Sequence, residues 1–377
     1  MNQAILPSAT IGILGGGQLG RMMAVAAKQM GYRIAVQDPA EDGPCAQVAD
    51  IHIPYALDSL EGAKKLAEVS EVITYEFENV DLSLAKYLVE QGKLPQGVEA
   101  LEVTQNRGRE KKRLEQAGVP VAPYRLLDET DDLQEAVDTI GVPCVIKTVE
   151  GGYDGKGQFR ISSKEDVSEA QRFLEDHGSC ILESWLPFDT EVSIIMTRGI
   201  DGGIAVFPMP ANLHEHHMLR ESVVPAPVSS EVLDKAKTYA VRIATYLGVV
   251  GTFAVEMFVV GEEVYVNEMA PRPHNSGHFT IEACNVSQFE QHIRAVCGLP
   301  LLNIDTPYAA VMRNIIGTEA EGYGMDTHLF LDCHVHLYGK DQVKPLRKMG
   351  HVTAIGKTVE EAKEKLDQDQ VVPGTRG

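Results

Sequence analysis

None of the six cysteines falls in a Cys-x-x-Cys pair, so the thiols read as scattered, reduced and partly buried, as in a cytoplasmic protein. No run reaches about 18 apolar residues, which excludes an ordinary transmembrane helix. The opening Met1-Asn2-Gln3-Ala4 has neither a basic segment nor a following apolar one and is read as carrying no secretory signal. Basic residues are in deficit, with 34 Lys and Arg against 54 Asp and Glu and a net charge of −20. That balance opposes nonspecific binding to nucleic acid or anionic membrane and makes any local basic cluster notable. Internal repeats, low-complexity tracts and coiled-coil heptads are also missing. What remains is 377 residues, 44% hydrophobic and 23% charged, the composition of a globular enzyme with two or three domains.

The first hundred residues alternate strand and helix: an apolar strand over 10–15, a helix over 19–30, strands over 33–37 and 51–53, a helix over 59–69 and a strand over 72–75. This rhythm predicts a parallel, Rossmann-like sheet. Gly15-Gly16-Gly17-Gln18-Leu19-Gly20 lies between the first strand and helix with Gly-x-Gly-x-x-Gly spacing, and Asp38 closes the next strand. Such a loop suits the pyrophosphate of NAD, a phosphate of another substrate, or a bare tight turn. From Tyr124 onward the pattern becomes α+β. A strand ending in Lys147 precedes Gly151-Gly152-Tyr153-Asp154-Gly155-Lys156-Gly157-Gln158, which is not a Walker A loop but is suited to folding backbone amides over a triphosphate. Glu183-Ser184-Trp185-Leu186 then closes a strand and Glu191 opens another, a turn fit for an adenine edge and ribose hydroxyls.

Residues 252–260 and 264–268 read as two strands joined by a three-residue loop, Gly261-Glu262-Glu263. Val260 then pairs with Val264, Phe258 with Val266, and Glu256 with Glu268. Opposed side chains lie about 4.5–5.5 Å apart at Cβ, and like charges there repel. Two carboxylates beside Asn267 suit Mg²⁺, a hard ion held by oxygen and completed by substrate phosphates; an exposed acidic hairpin is the plain alternative. Two other clusters, His214-Glu215-His216-His217 and Cys333-His334 with His336, resemble metal sites but lack partners at structural-zinc spacing. His334 and His336 read as one face of a strand.

Lysine strand, glycine flap, Glu-Ser-Trp-Leu turn and acidic hairpin occur in the order of the ATP-grasp superfamily, which the chain resembles. Together with Gly15–Gly20, Thr104-Gln105-Asn106-Arg107 and the run from Asn267-Glu268-Met269-Ala270-Pro271-Arg272 to Pro273-His274-Asn275-Ser276-Gly277-His278, the likeness is to the N5-carboxyaminoimidazole ribonucleotide synthetase family, over about residues 10 to 355. Asn106 stands where that family more often has aspartate.

The resemblance implies an α/β and α+β fold: a Rossmann-like domain over 1–103, a two-lobed ATP-grasp domain over 104–298 and a small β-rich C-terminal domain over 299–377. It also implies a cytoplasmic, homodimeric ligase of purine biosynthesis that uses ATP and bicarbonate to carboxylate 5-aminoimidazole ribonucleotide through carboxyphosphate. Arg107, Lys147, the flap 152–158, residues 183–186, Glu191, His214, Asn267 and Glu268 would bind ATP, and Glu256 and Glu268 would hold Mg²⁺. Arg272 and Lys348 would be the catalytic cations. Gln18, Leu19, Glu76, Tyr153, Asp154, Lys156, Arg272, His274, Asn275, Ser276, Lys340, Arg347 and Lys348 would receive the ribonucleotide and bicarbonate. Rival readings are a formate-dependent glycinamide ribonucleotide transformylase or another ATP-grasp ligase, and, from a different class, an NAD-dependent dehydrogenase built on the first glycine loop.

Overall fold

A computed structural model describes residues 4–151, 157–320 and 331–368; the flap residues Gly152, Tyr153, Asp154, Gly155 and Lys156 lie outside them. The N-terminal unit comprises β1 (Thr10–Leu14), α1 (Gln18–Gln29), β2 (Arg33–Gln37), β3 (Ile51–Ile53), α2 (Leu60–Val69), β4 (Val72–Tyr75) and α3 (Leu82–Glu90). Its strands form a parallel sheet in the order β3-β2-β1-β4. Fully buried apolar strands such as β1 and β4 fit a sheet covered on both faces. Two short helices follow, α4 (Glu99–Thr104) and α5 (Arg107–Gln116).

The next unit holds β5 (Tyr124–Leu127), α6 (Leu133–Ile140), β6 (Cys144–Thr148), β7 (Gln158–Ile161), α7 (Val167–His177) and β8 (Cys180–Ser184). These strands make a small antiparallel sheet ordered β5-β8-β6-β7. The large sheet is built from β9 (Thr190–Arg198), β10 (Ile204–Val206), β11 (Ala211–Glu215), β12 (Met218–Val224), β13 (Gly251–Val260), β14 (Glu263–Ala270), β15 (Ala309–Ile316), β16 (His334–Leu337) and β17 (Lys348–Gly356). Its order is β14-β13-β9-β11-β12-β15-β17-β16, with β10 beside β9. The C-terminal strands thus continue the central sheet through the β12–β15 pairing.

Among the helices, α8 (Ser230–Leu247) covers the central sheet, α9 (Thr280–Ala283) and α10 (Gln288–Val296) follow β14, and α11 (Val359–Gln368) closes the described chain. The chain leaves the helical path between α9 and α10, where Ser287 caps the second piece through the Glu290 amide. Among the described residues no helix is long and apolar enough to cross a membrane.

The N-terminal unit is joined to the large sheet by α10, whose Phe289, Ile293 and Val296 share a core with Ile11, Ile13 and Met23. A polar line crosses the same junction. The Thr252 amide donates to His292 Nδ1 at 3.0 Å, so the ring proton sits on Nε2, 2.8 Å from Thr74 Oγ1. The Thr74 hydroxyl donates to Gln96 Oε1 at 2.6 Å, and Gln96 Nε2 donates to the Pro271 carbonyl at 3.5 Å. Burial pushes the His292 imidazole from 6.5 down to about 3. Below pH 6.5 the unfolded chain therefore takes up a proton that the folded protein refuses. The stability contribution is complete above 6.5 and is lost as pH falls toward 3, by up to about 1.4 kcal/mol per pH unit. His292→Gln keeps an acceptor and a donor but cannot titrate. Urea midpoints measured across pH 4.5 to 7.5 are expected to fall less steeply on the acid side for this variant than for the wild type.

Candidate active site

A cleft of about 1040 Å³ opens between the small and large sheets and the loop after β14. It gathers Arg107, Lys147, Gln158, Glu183, Ser184, Trp185, Leu186, Glu191, His214, Glu256, Asn267, Glu268, Arg272, His274, Asn275 and Lys348. Gly157, whose carbonyl accepts from the Thr148 amide, lies at the β6–β7 mouth.

Glu256 and Glu268 are opposite one another, by a route that differs from the expected one. The hairpin loop has two residues, Gly261 at φ +58° and Glu262, so Val260 pairs with Glu263 and Phe258 with Tyr265. A bulge between Glu256 and Met257 then inserts Asn267 and restores the pairing of Glu256 with Glu268. A bulge bends the strand and re-aims its side chains, and here it falls at the paired acids.

Each carboxylate has its own nitrogen partner. Arg107 Nη1 lies 2.9 Å from Glu268 Oε2, and His274 Nε2 lies 2.9 Å from Glu256 Oε1. The Ser276 amide donates to His274 Nδ1 at 3.3 Å, which leaves the ring proton on the nitrogen facing Glu256. Burial alone would raise the Glu256 carboxyl, but His274 leads the neighbours that hold it well below its ordinary value. The second oxygen of each acid, Glu256 Oε2 and Glu268 Oε1, makes no hydrogen bond among the described residues. Two opposed carboxylates fit a divalent cation whose remaining ligands would come from phosphates and water. Among the described residues no group of three or more His, Cys, Asp and Glu is arranged to hold a metal by itself.

A polar row supports this wall. Ser222 donates to Asn212 Oδ1 at 2.9 Å, Asn212 Nδ2 donates to Ser193 at 3.0 Å, and the Ser193 and Ser276 hydroxyls lie 2.8 Å apart. Ser276 Oγ then meets His274 Nδ1 at 2.8 Å. Ser276 is fully buried, so it orients His274 from beneath. Asn275 forms a reciprocal amide pair with Asn314, at 3.0 and 2.7 Å. Arg272 Nε lies 2.5 Å from Glu78 Oε2; burial would raise the Glu78 carboxyl, and the guanidinium holds it below its ordinary value. His214 meets Glu191 on the neighbouring strand. His216 and His217 occupy the β11–β12 turn at φ +52° and +63°, which accounts for the histidine cluster as a hairpin turn.

On the opposite wall, Glu183 is held between Lys111 Nζ at 2.9 Å and Lys147 Nζ at 2.6 Å. Burial opposes its charge, yet the two ammonium groups keep the carboxyl well below its ordinary range. Several residues here were not singled out from the sequence: Glu78, Glu110, Lys111, Asn212, Phe188 and Phe258. Phe258 stacks on Phe188 at 4.7 Å and lines the cleft two residues from Glu256, a strand spacing that could have revealed it.

The first glycine loop lies apart from the cleft's lining. The Gly16 amide donates to Asp38 Oδ2 at 2.8 Å, Gly20 to Glu76 Oε2 at 2.7 Å, and Gly17 to the other Glu76 oxygen. A Cβ on Gly17 would come within 2.6 Å of Glu76 Oε1. The protein's own acids therefore occupy the amides that the dehydrogenase reading reserves for a pyrophosphate. Burial raises the Glu76 carboxyl above its ordinary value. Gln18 and Leu19 begin α1 at this point. Lys340 Nζ donates to the Lys348 carbonyl at 2.6 Å, and Arg347 Nη1 to the Gln342 carbonyl at 2.8 Å. Burial, with Arg347 and Lys348 nearby, lowers the Lys340 ammonium to about 8.

Glu183→Gln should lower the unfolding free energy by about 3–5 kcal/mol, because two largely buried ammonium groups would lose their shared counter-charge. Urea unfolding at pH 7 checks this.

Three family models match in chain order: the ribonucleotide synthetase preATP-grasp domain over 8–105, the ATP-grasp domain over 112–289, and the phosphoribosylaminoimidazole carboxylase C-terminal domain over 310–365. The N5-carboxyaminoimidazole ribonucleotide synthase of Bacillus subtilis (strain 168) is 49% identical over 352 residues, covering 93% of this chain and 92% of its own. The Staphylococcus aureus (strain MRSA252) enzyme of that name is 41% identical over 360 residues, covering 95% of this chain and 96% of its own. Among solved structures, an ADP complex of N5-carboxyaminoimidazole ribonucleotide synthetase superposes with a TM-score of 0.94 at 50% identity, covering 98% of each chain. The Aspergillus clavatus N5-carboxyaminoimidazole synthase in complex with ADP and 5-aminoimidazole ribonucleotide superposes at 0.88 with 30% identity, covering 97% of this chain and 98% of its own. With that identity across nearly its whole length, the chain belongs to the N5-carboxyaminoimidazole ribonucleotide synthase family of ATP-grasp ligases.

Proposed function

We propose that this chain is the ATP-dependent ligase that carboxylates 5-aminoimidazole ribonucleotide to its N5-carboxyamino derivative with bicarbonate, in purine biosynthesis. The observation that carries the reading is the pair Glu256 and Glu268, opposed on one wall of a cleft whose other wall presents Lys147. Bicarbonate is a poor electrophile. An oxygen of bicarbonate attacks the γ-phosphorus, ADP departs, and the resulting carboxyphosphate gives its carboxyl carbon to the exocyclic amine as phosphate leaves and the amine loses a proton. This chemistry requires charge neutralisation and exclusion of water, and no protein nucleophile.

In this reading Lys147 and Arg107 meet the triphosphate. The strand end 183–186, with Glu191 and His214, holds adenine and ribose, while the Phe188–Phe258 stack gives the slot an apolar wall. The flap 152–158 would bind ATP, as the family resemblance implies. Glu256 and Glu268, with Asn267 beside them, would hold Mg²⁺, which would supply positive charge to the phosphates. Arg272, oriented by Glu78, offers a fixed fork of donors to bicarbonate or the transferring phosphoryl group, and His274 stands beside it. The basic turn Lys340, Arg347 and Lys348 would take the ribonucleotide phosphate, near the loop of Gln18, Leu19 and Glu76. Asn275 and Ser276 support the pocket from within their hydrogen-bonded pairs. The domain division 1–103, 104–298 and 299–377 belongs to the same proposal. So does a homodimeric state, which rests on the family, and a cytoplasmic location, supported by six cysteines that form no disulfide with one another.

ADP release should be stimulated by 5-aminoimidazole ribonucleotide and bicarbonate together; no stimulation by the pair would sink the assignment. Glu268→Gln should abolish turnover, and wild-type rates at ordinary Mg²⁺ would contradict the metal role.

A further inference from the structure

One face of α5 grips three consecutive residues of β14. Arg107, Glu110 and Lys111 stand at i, i+3 and i+4, the spacing that places side chains together on a helix. Arg107 pairs with the Glu268 carboxylate at 2.9 Å. Glu110 Oε1 accepts from the Met269 amide at 2.7 Å, and Lys111 Nζ donates to the Asn267 carbonyl at 2.8 Å. The last two bonds fix the peptide groups on either side of the Glu268 Cα. Asn267 is the residue the bulge inserts, so its carbonyl is held by no regular ladder position opposite β13. Glu110 and Lys111 are both 3% exposed.

Lys111 also reaches the other wall. Its ammonium lies 2.9 Å from Glu183, which in turn lies 2.6 Å from Lys147. The helix itself is anchored on that side: the Arg107 amide donates to the Val149 carbonyl at 2.9 Å, and Gly108 lies so near Leu126 that a Cβ would come within 2.8 Å of it.

We propose that Glu110 and Lys111 are positioning residues that lock the backbone around Glu268 and set its place relative to Lys147, so that the paired acids accept a divalent cation together with a nucleotide. This rests on the ligase reading of the cleft and extends it to residues that act through the backbone of β14. Residues that orient metal ligands are commonly worth about 10–100-fold in metal affinity or activity.

The test is calorimetric titration of ADP into the wild type, Glu110→Ala, Glu110→Gln and Lys111→Met, with and without Mg²⁺, alongside melting temperatures. Glutamine keeps the oxygen that accepts from Met269. The expected result is a Mg²⁺-dependent gain in ADP affinity about tenfold smaller in Glu110→Ala and Lys111→Met. Glu110→Gln should keep the wild-type gain, and Glu110→Ala should keep the metal-free ADP affinity. A purely structural role would lower melting temperature and leave the Mg²⁺-dependent gain unchanged. If Lys111→Met does not fold, the comparison of Glu110→Ala with Glu110→Gln decides. Equal gains in the folded variants and the wild type overturn the positioning role. No gain in the wild type overturns the metal reading of the cleft, and the positioning role with it.

Discussion

Two like charges held face to face across a β-ladder are the constraint around which this cleft is organised. Glu256 and Glu268 would repel at a separation where such pairs destabilise a sheet, and the fold offsets the repulsion twice, from different directions. Arg107 approaches Glu268 from a helix, and His274 approaches Glu256 from the loop after β14. Each acid turns one oxygen to its own partner, and among the described residues the other oxygen makes no hydrogen bond. A shared proton would satisfy the electrostatics but would forfeit the hard-ligand character that a divalent cation needs.

That arrangement accounts for the polar residues crossing an otherwise apolar sheet. Ser222, Asn212 and Ser193 lie on adjacent strands, and their chain of donors ends at Ser276 and His274. Its effect is to fix which nitrogen of His274 carries the proton. A buried network is favourable only when each member is satisfied, and this one hands its last donor to Glu256.

The sequence revealed the residue types of the site more fully than the geometry that joins them. The Glu256–Glu268 pairing was legible because two errors of one residue cancel: the hairpin loop is one residue shorter than expected, and the bulge at Asn267 adds one back. A bulge leaves no compositional mark in Val-Tyr-Val-Asn-Glu. The β11–β12 hairpin was missed for a related reason. Its turn has positive φ at His216 and His217, where Asn and Gly are the usual signals. Asn106 performs the task an aspartate would, accepting from the Arg109 amide at 3.0 Å to cap α5. Gly108, inside that helix, leaves room for Leu126. Glu110 and Lys111 sit in a run of charged helical residues, and burial distinguishes them from their solvated neighbours.

The first glycine loop shows how the same local sequence acquires a different use. A helix N-terminus with glycines before it is a ready anion site, and here the anions are the protein's own Glu76 and Asp38. Glu76 is drawn in despite a desolvation cost that raises its carboxyl, because the Gly17 and Gly20 amides hold its two oxygens. With those amides engaged, a substrate phosphate bound beside α1, as proposed, would need cations from elsewhere. The turn between β16 and β17 brings them: Gln47 donates to the Gly339 carbonyl at 2.8 Å, tying the basic turn to the N-terminal unit. Lys340 lies close enough for Glu76 to favour its charge while Arg347 and Lys348 oppose it. A chain carrying a net charge of −20 thus keeps a local basic site by setting a buried acid against it, and an arriving phosphate would relieve the repulsion among the three cations.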